Sequence, residues 1–223
     1  MQMKRHFHEE LEKLKKKLIE MSFYAEASIH KSIEALLHRD PAAAQKVFEK
    51  EQIIDRLEIE IDDKGHSLLA LEQPMAADLR LVTSILKINT DLERLGDHAV
   101  NIAERALLLA EEPRLETNIH LPEMTQAVQE MLRDALKAFM DGDVALAKKV
   151  LKSDDRVDDY NDALYFQIQN LIEKDPLITR TGMKLVRIGH DLERIADLAN
   201  NIAEDVIYLK EGQEVRHRVQ ADS

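Results

Sequence analysis

Two segments of this chain, DLERLGDHAVNIAE at residues 91 to 104 and DLERIADLANNIAE at residues 191 to 204, agree at ten of fourteen positions, and both are acidic. Wound as helices at about 100° per residue, the first gathers Glu93, Asp97 and Glu104 within about 40°, and the second gathers Glu193, Asp197 and Glu204 in the same way. Upstream, Glu51, Asp55, Glu58 and Asp62 span only about 60° of a helix surface. A fourth segment carries Asp154 and Asp158, followed by Asn161. Each Glu/Asp-x-x-x-Asp pair sets two carboxylates one turn apart on a single face. Like charges so placed destabilise a helix by roughly 0.2 to 0.5 kcal/mol per pair, and a bound cation is one way to offset that. The chain has no cysteine, so a metal must be held by oxygen or imidazole. All-oxygen donor sets suit Mg, Mn, Ca or Fe, and carboxylates bridge ions in clusters.

The elements that must position these acids are long helices. Six glycines and five prolines in 223 residues leave few turns, which predicts an all-α fold. Phe7, Leu11, Leu14, Leu18, Met21 and Ala25 alternate steps of four and three, so the first helix presents one apolar seam to about His38. Asp40-Pro41 starts the second helix, and Gln73-Pro74 ends it near Leu71. The third carries Leu81, Ile85, Ile88, Leu92, Leu95 and Ile102 on one side. The second half repeats the plan, with Leu121, Met124, Val128, Met131 and Ala135 on the fourth helix, a turn at Asp141-Gly142-Asp143, a fifth helix to about Glu173 and a sixth starting at Asp175-Pro176.

The repeat predicts two tandem three-helix bundles, a duplicated up-down-up unit of six long helices. The first occupies residues 1–112 and the second 121–212, with a polar tail at 213–223. In an antiparallel hairpin, residues equidistant from the turn lie level. The midpoint between Glu51 and Asp97, and between Asp55 and Glu93, is residue 74, the turn proline. Asp154 with Asp197, and Asp158 with Glu193, centre between Asp175 and Pro176. Each half is therefore expected to hold four carboxylates at one height: Glu51, Asp55, Glu93 and Asp97 in the first, Asp154, Asp158, Glu193 and Asp197 in the second. Glu58, Glu104 and Glu204 are weaker candidates. Asn101 and Asn201 follow the second acid by four residues, as outer hydrogen-bond donors or as solvent-facing side chains.

The sequence DLRLVTSILKINTDLERLGDHAVNIAE at 78 to 104, preceded by QPMA, resembles the signature of the PhoU family of phosphate-signalling regulators. PLITRTGMKLVRIGHDLERIADLANNIAE resembles that family's second repeat, and the likeness runs from about residue 5 to 212. It implies two three-helix bundles whose Glu/Asp-x-x-x-Asp motifs hold multinuclear metal clusters, iron or zinc. It also implies a cytoplasmic negative regulator of phosphate uptake and phosphate-starvation signalling, in contact with the ATPase subunit of a phosphate ABC transporter and with a membrane sensor histidine kinase, as a homodimer. Two departures mark this chain: Asp154 stands where the first half has Glu51, and Leu198 where it has His98. His98 lies about 100° from Asp97, which suits a surface or packing role.

Arg80, Lys87 and Arg94, echoed by Arg180, Arg187 and Arg194, form a basic stripe that could meet phosphate or an acidic partner. Asp91, close in sequence to Lys87 and Arg94, predicts local ion pairs there instead. A net charge of −12 disfavours nucleic acid as a partner. No apolar run is long enough for a membrane span and no signal-peptide core opens the chain. A di-metal enzyme of the ferritin kind needs Glu-x-x-His on two helices. The matches here are Glu214-x-x-His217 and the near miss Asp63-x-x-His66. A metal-free helical adaptor is the remaining alternative.

Overall fold

The computed structural model describes residues 2–113, 115 and 119–212, with side chains from His6 onward. The tail at 213–223, with its Glu214-x-x-His217, lies outside the described residues. Three helices, α1 (Gln2–His38), α2 (Pro41–Glu72) and α3 (Ala77–Ala110), pack on one another as the first bundle. The second comprises α4 (Leu121–Asp141), α5 (Val144–Leu151), α6 (Asp154–Lys174) and α7 (Thr179–Glu211), with a single 3₁₀ turn at Pro176–Ile178 before α7. Helices α3 and α7 form the main seam between the halves, and α1 touches α4 beside it.

The starts and stops are chemical. Asp40 accepts the Ala42 N–H ahead of Pro41, Asp143 accepts that of Leu146, and Asp175 accepts that of Leu177. Each thereby satisfies an N–H that the helix leaves over. Arg39 and Gly142 both adopt the left-handed conformation at φ 55° and 64°, so the two bundles turn from first to second helix in the same way. The α1 seam from Phe7 to Ala25 is buried, as are Ile85, Ile88, Leu92, Leu95 and Ile102 on α3 and Leu121, Met124, Val128, Met131 and Ala135 on α4. No helix among the described residues is long and apolar enough to cross a membrane.

One element differs from the sequence expectation. The middle rod of the second half is broken at Lys152 and Ser153 into α5 and α6, whereas α2 runs unbroken. At the break Lys152 N–H and Ser153 N–H reach back only three residues, to Lys149 and Val150, and Ser153 Oγ also donates to the Lys149 carbonyl. A hydroxyl that competes for helix carbonyls loosens the ladder, while Asp154 and Asp155 suit the positive end of a new helix. Asp154 therefore sits in the first turn of α6, and Glu51 sits in mid-helix.

Candidate metal centres

Helices α2 and α3 are antiparallel about the turn at Pro74, and their close approach is set by Gly96. A Cβ there would stand 2.6 Å from Glu51 Oε2 and 3.2 Å from Ile54 Cδ1. Glu51, on α2, consequently lies under α3 facing Asp97 and Glu93. The Glu51 carboxyl is raised to about 7 by burial first, then by the negative charges of Asp55, Asp97 and Glu93. Glu93 is raised by burial, then by Asp97 and Glu58, with Arg94 opposing and Asp55 adding. Glu58 is raised by burial and by Asp62 and Asp55. The structure thus brings together the four acids of the first half, with Glu58 at their edge.

The second half gathers its acids likewise. Asp158 is raised to about 6 by burial, then by Asp154, Glu193 and Asp197. Asp154 is raised by burial, with a hydrogen bond from Asn200 working the other way. Here the carboxylates have neutral or cationic company: Asn161 Nδ2 lies 3.3 Å and His190 Nδ1 3.0 Å from Glu193 Oε2, and Arg194 donates to Asp197 at 3.1 Å. Gly189 leaves the room for Asn161, whose Oδ1 would meet an added Cβ at 2.8 Å.

In the first half the company is thinner. Glu51 Oε2 is buried with no hydrogen-bond partner among the described residues, although leaving such an oxygen unmade costs about 1 to 3 kcal/mol. Asp55 and Asp97 are exposed, which gives an ion a way in. A stranded oxygen and mutually repelling neighbours fit a cation. Among the described residues, no three Asp, Glu or His side chains converge at metal-ligand spacing. Mutual repulsion opposes such convergence, and a cation between the acids reverses its sign.

These raised carboxyls fix a pH dependence. A carboxyl whose folded pKa exceeds its ordinary 4.5 (Glu51) or 3.8 (Asp158) holds a proton that the unfolded chain has released. The associated stability is complete below the ordinary value and is lost as pH climbs toward about 7 for Glu51 and about 6 for Asp158. Ion-paired acids such as Glu10, lowered to about 2 by Lys13 and Lys64, act below this window. In chelator, the urea midpoint is expected to fall between pH 4.5 and about 7; a midpoint that rises across that range contradicts the assignment.

The outer candidates scatter. Asn101 and Asn201 are half-buried, Glu104 is exposed and Glu204 half-buried; the Asn101 carbonyl accepts from Arg105. The basic stripe pairs in ways the local spacing does not show. Lys87 Nζ lies 3.8 Å from Asp205 of the other half and 5.5 Å from the Tyr208 ring centroid. Arg180 lies near Glu112 at 3.7 Å, and Arg194 turns to Asp197. Arg94 and Arg187 are exposed, and Arg80 Nε is buried with no hydrogen-bond partner among the described residues.

His98 does not turn to the acids of its own half. Its Nδ1 lies 3.0 Å from Asp191 Oδ1 on α7, and Arg105 donates to Asp191 Oδ2. At one end of the seam Glu112 accepts from Thr181 at 2.6 Å and from Lys184, while its carbonyl accepts from Arg39. Sequence spacing gives no sign of these cross-half contacts, because the crossing of α3 and α7 decides which side chains meet. Asn161, by contrast, was visible as an amide following the acidic pair of its helix, whereas Asn200, which hydrogen-bonds Asp154, was missed in favour of its neighbour Asn201.

Fold and carboxylates together define a class: a duplicated helical-bundle protein with a four-acid face in each unit. The chain belongs to the PhoU family, whose domain model, "PhoU domain", matches residues 18–106 and again 121–206. It is 41% identical over 209 residues to the Aquifex aeolicus protein called "Phosphate-specific transport system accessory protein PhoU homolog", covering 94% of this chain and 95% of that one. A Thermotoga maritima homologue is 35% identical over 212 residues, 95% of this chain and 91% of its own. The crystal structure of PhoU from Pseudomonas aeruginosa superposes with a TM-score of 0.89 at 36% identity, over 93% of this chain and all of that one. PhoU from Streptococcus pneumoniae gives 0.83 at 32% identity, over 94% of this chain and 99% of the other. A role in regulating phosphate transport follows from this membership.

Proposed function

We propose that the chain is a metal-binding cytoplasmic regulator that restrains phosphate uptake and phosphate-starvation signalling, through the ATPase subunit of a phosphate ABC transporter and a membrane sensor histidine kinase. Membership of the PhoU family supports the physiological setting, and the relatives' names place them with a phosphate-specific transport system. The single observation that carries the metal is the buried Glu51 Oε2, which has no hydrogen-bond partner among the described residues and lies in the field of three further carboxylates. Glu51, Asp55, Glu93 and Asp97 are the ligands of the first centre, and Asp154, Asp158, Glu193 and Asp197 those of the second. Their all-oxygen chemistry suits iron, magnesium, manganese or calcium, and zinc is accommodated by carboxylates as well. Exposed Arg94 and Arg187 are candidate contacts for an acidic partner surface.

A cluster spanning α2 and α3 ties two helices whose outer faces a partner would meet, so occupancy of the centre and affinity for the partner are linked. Titrating the ATPase subunit against metal-loaded and chelator-treated protein tests this. Loaded protein is expected to bind at least fivefold more tightly, a coupling of about 1 kcal/mol. Equal affinities in the two preparations contradict a regulatory metal and favour a metal-free adaptor.

A further inference from the structure

The duplication gives each face of one half a counterpart in the other, so an apolar patch found on one half alone needs its own explanation. Glu51 aligns with Asp154 and Asp55 with Asp158, which carries Asp62 to Tyr165 and Asp63 to Phe166. Asp91 aligns with Asp191, which carries Thr83 to Met183 and Lys87 to Arg187. The first half thus continues its acidic face toward the turn with Asp62, Asp63 and Thr83, and the second with Tyr165, Phe166 and Met183. These last three are 53%, 60% and 48% exposed, and the two rings meet edge to face at 5.8 Å.

Two glycines fix where the patch lies. A Cβ at Gly189 would stand 2.8 Å from Asn161 Oδ1, and one at Gly182 would stand 2.8 Å from Ile168 Cγ2 and 3.1 Å from Ile172 Cδ1. Tyr165 is one turn past Asn161 and two turns before Ile172, so it rises from the line along which α6 and α7 touch, level with half-buried Val186. Met183 follows Gly182 and is turned about 100° from that contact, toward solvent. One turn on, Arg187 is exposed and has no ion pair among the described residues. Its counterpart Lys87 is engaged, 3.8 Å from Asp205 and over the Tyr208 ring. The first half therefore offers neither the aromatic strip nor the available cation at these positions.

Tyr, Phe, Met and Arg are the residues over-represented at the centres of protein interfaces, and the trough between two neighbouring rods accepts a third. We infer that this face of α6 and α7 is a docking site for an amphipathic helix of a partner protein, its apolar side on Tyr165, Phe166 and Met183 and its acidic flank on Arg187. The inference rests on the partner-binding role proposed above and places that role on the second half. A second copy of the chain is the poorer occupant. Three side chains about half-exposed offer roughly 300 Å², against about 2,000 Å² or more buried by obligate homodimers. A patch of this size suits a partner that comes and goes.

The probe is a leucine-seamed amphipathic peptide with glutamate along one flank, titrated against the full chain. Tyr165→Ser/Met183→Ser is expected to weaken its binding about tenfold or more, and Arg187→Glu about fivefold. The matching change in the first half, Asp62→Ser/Thr83→Ser, is expected to leave binding unchanged. The same peptide with lysine for glutamate should bind the wild type about fivefold more weakly. Melting curves of the variants separate a lost contact from a lost fold. A peptide that binds all these proteins alike, or none of them, overturns the docking face. So does sedimentation that shows a dimer broken by Tyr165→Ser/Met183→Ser, since a second copy then covers the face. The peptide reads this face without the ATPase subunit, so a subunit that fails to bind the wild type counts against the proposed partner and leaves the face standing.

Discussion

The double variant Glu51→Gln/Asp55→Asn is expected to be more stable than the wild type in chelator, and to have lost the rise in stability that added metal gives the wild type. Both signs follow from one geometry. Glu51 is raised toward neutrality by burial and by three neighbouring carboxylates, so removing two charges relieves repulsion with Glu93 and Asp97. That relief is about 1 kcal/mol, because Asp55 and Asp97 are exposed and solvent screens them. A metal at a hundredfold excess over its dissociation constant stabilises the folded wild type by about 2.7 kcal/mol. The variant keeps too few oxygens between α2 and α3 to hold it. Chemical denaturation with and without metal gives all four numbers. A variant less stable in chelator, or one stabilised by metal as much as the wild type, contradicts the assignment.

The second large effect lies in the seam. Asp191 is 6% exposed and its two oxygens are met by His98 and Arg105 from the other half. Arg105→Ala leaves that carboxylate buried with one partner, and removing one member of a buried pair strands the other. Arg105 is one-fifth exposed, so water recovers part of the loss and the expected cost is about 2 to 3 kcal/mol. For a chain of this size that is a fall in Tm of about 5 to 10 °C. Adding Asp191→Asn to Arg105→Ala should restore a large part of it, since the stranded charge is then gone. A change in Tm under 1 °C for Arg105→Ala shows that the seam does not depend on this contact.

That the acids of α2 and α3 would feel one another's charge was legible because it needs little: a rod of fixed rise, a proline turn, and residues equidistant from it. Asp154 and Asp158 kept their neighbours although the break at Ser153 was not expected, since that break lies on the far side of Asp154 from the Pro176 turn. The break itself was hidden by an apolar pattern, Ala147, Val150, Val157 and Leu164, that continues through it into α6. Lys87 shows what spacing cannot give. Asp91 is one turn away along α3, yet Lys87 reaches Asp205, and only the packing of α3 on α7 sets that distance. The role of His98 was open for the same reason. Its partner, Asp191, lies on another helix and in the other repeat.

The pseudo-symmetry also shows where the halves have diverged. Position 105 is arginine and its counterpart 205 is aspartate, and position 98 is histidine where 198 is leucine. The side chains that meet Asp191 are therefore not repeated at positions 198 and 205. The acid faces differ in the same spirit: amide, imidazole and guanidinium groups attend those of the second half, while Glu51 Oε2 has no hydrogen-bond partner among the described residues.

The most direct measurement is anomalous diffraction from a crystal grown with an excess of ferric or zinc ion, recorded on either side of the metal's absorption edge. Bound ions between α2 and α3 should give peaks within coordination distance of Glu51 and of at least two among Asp55, Glu93 and Asp97. A crystal whose peaks lie only at imidazoles or lattice contacts, with Glu51 Oε2 still facing no metal, would show that these carboxylates are not a metal centre.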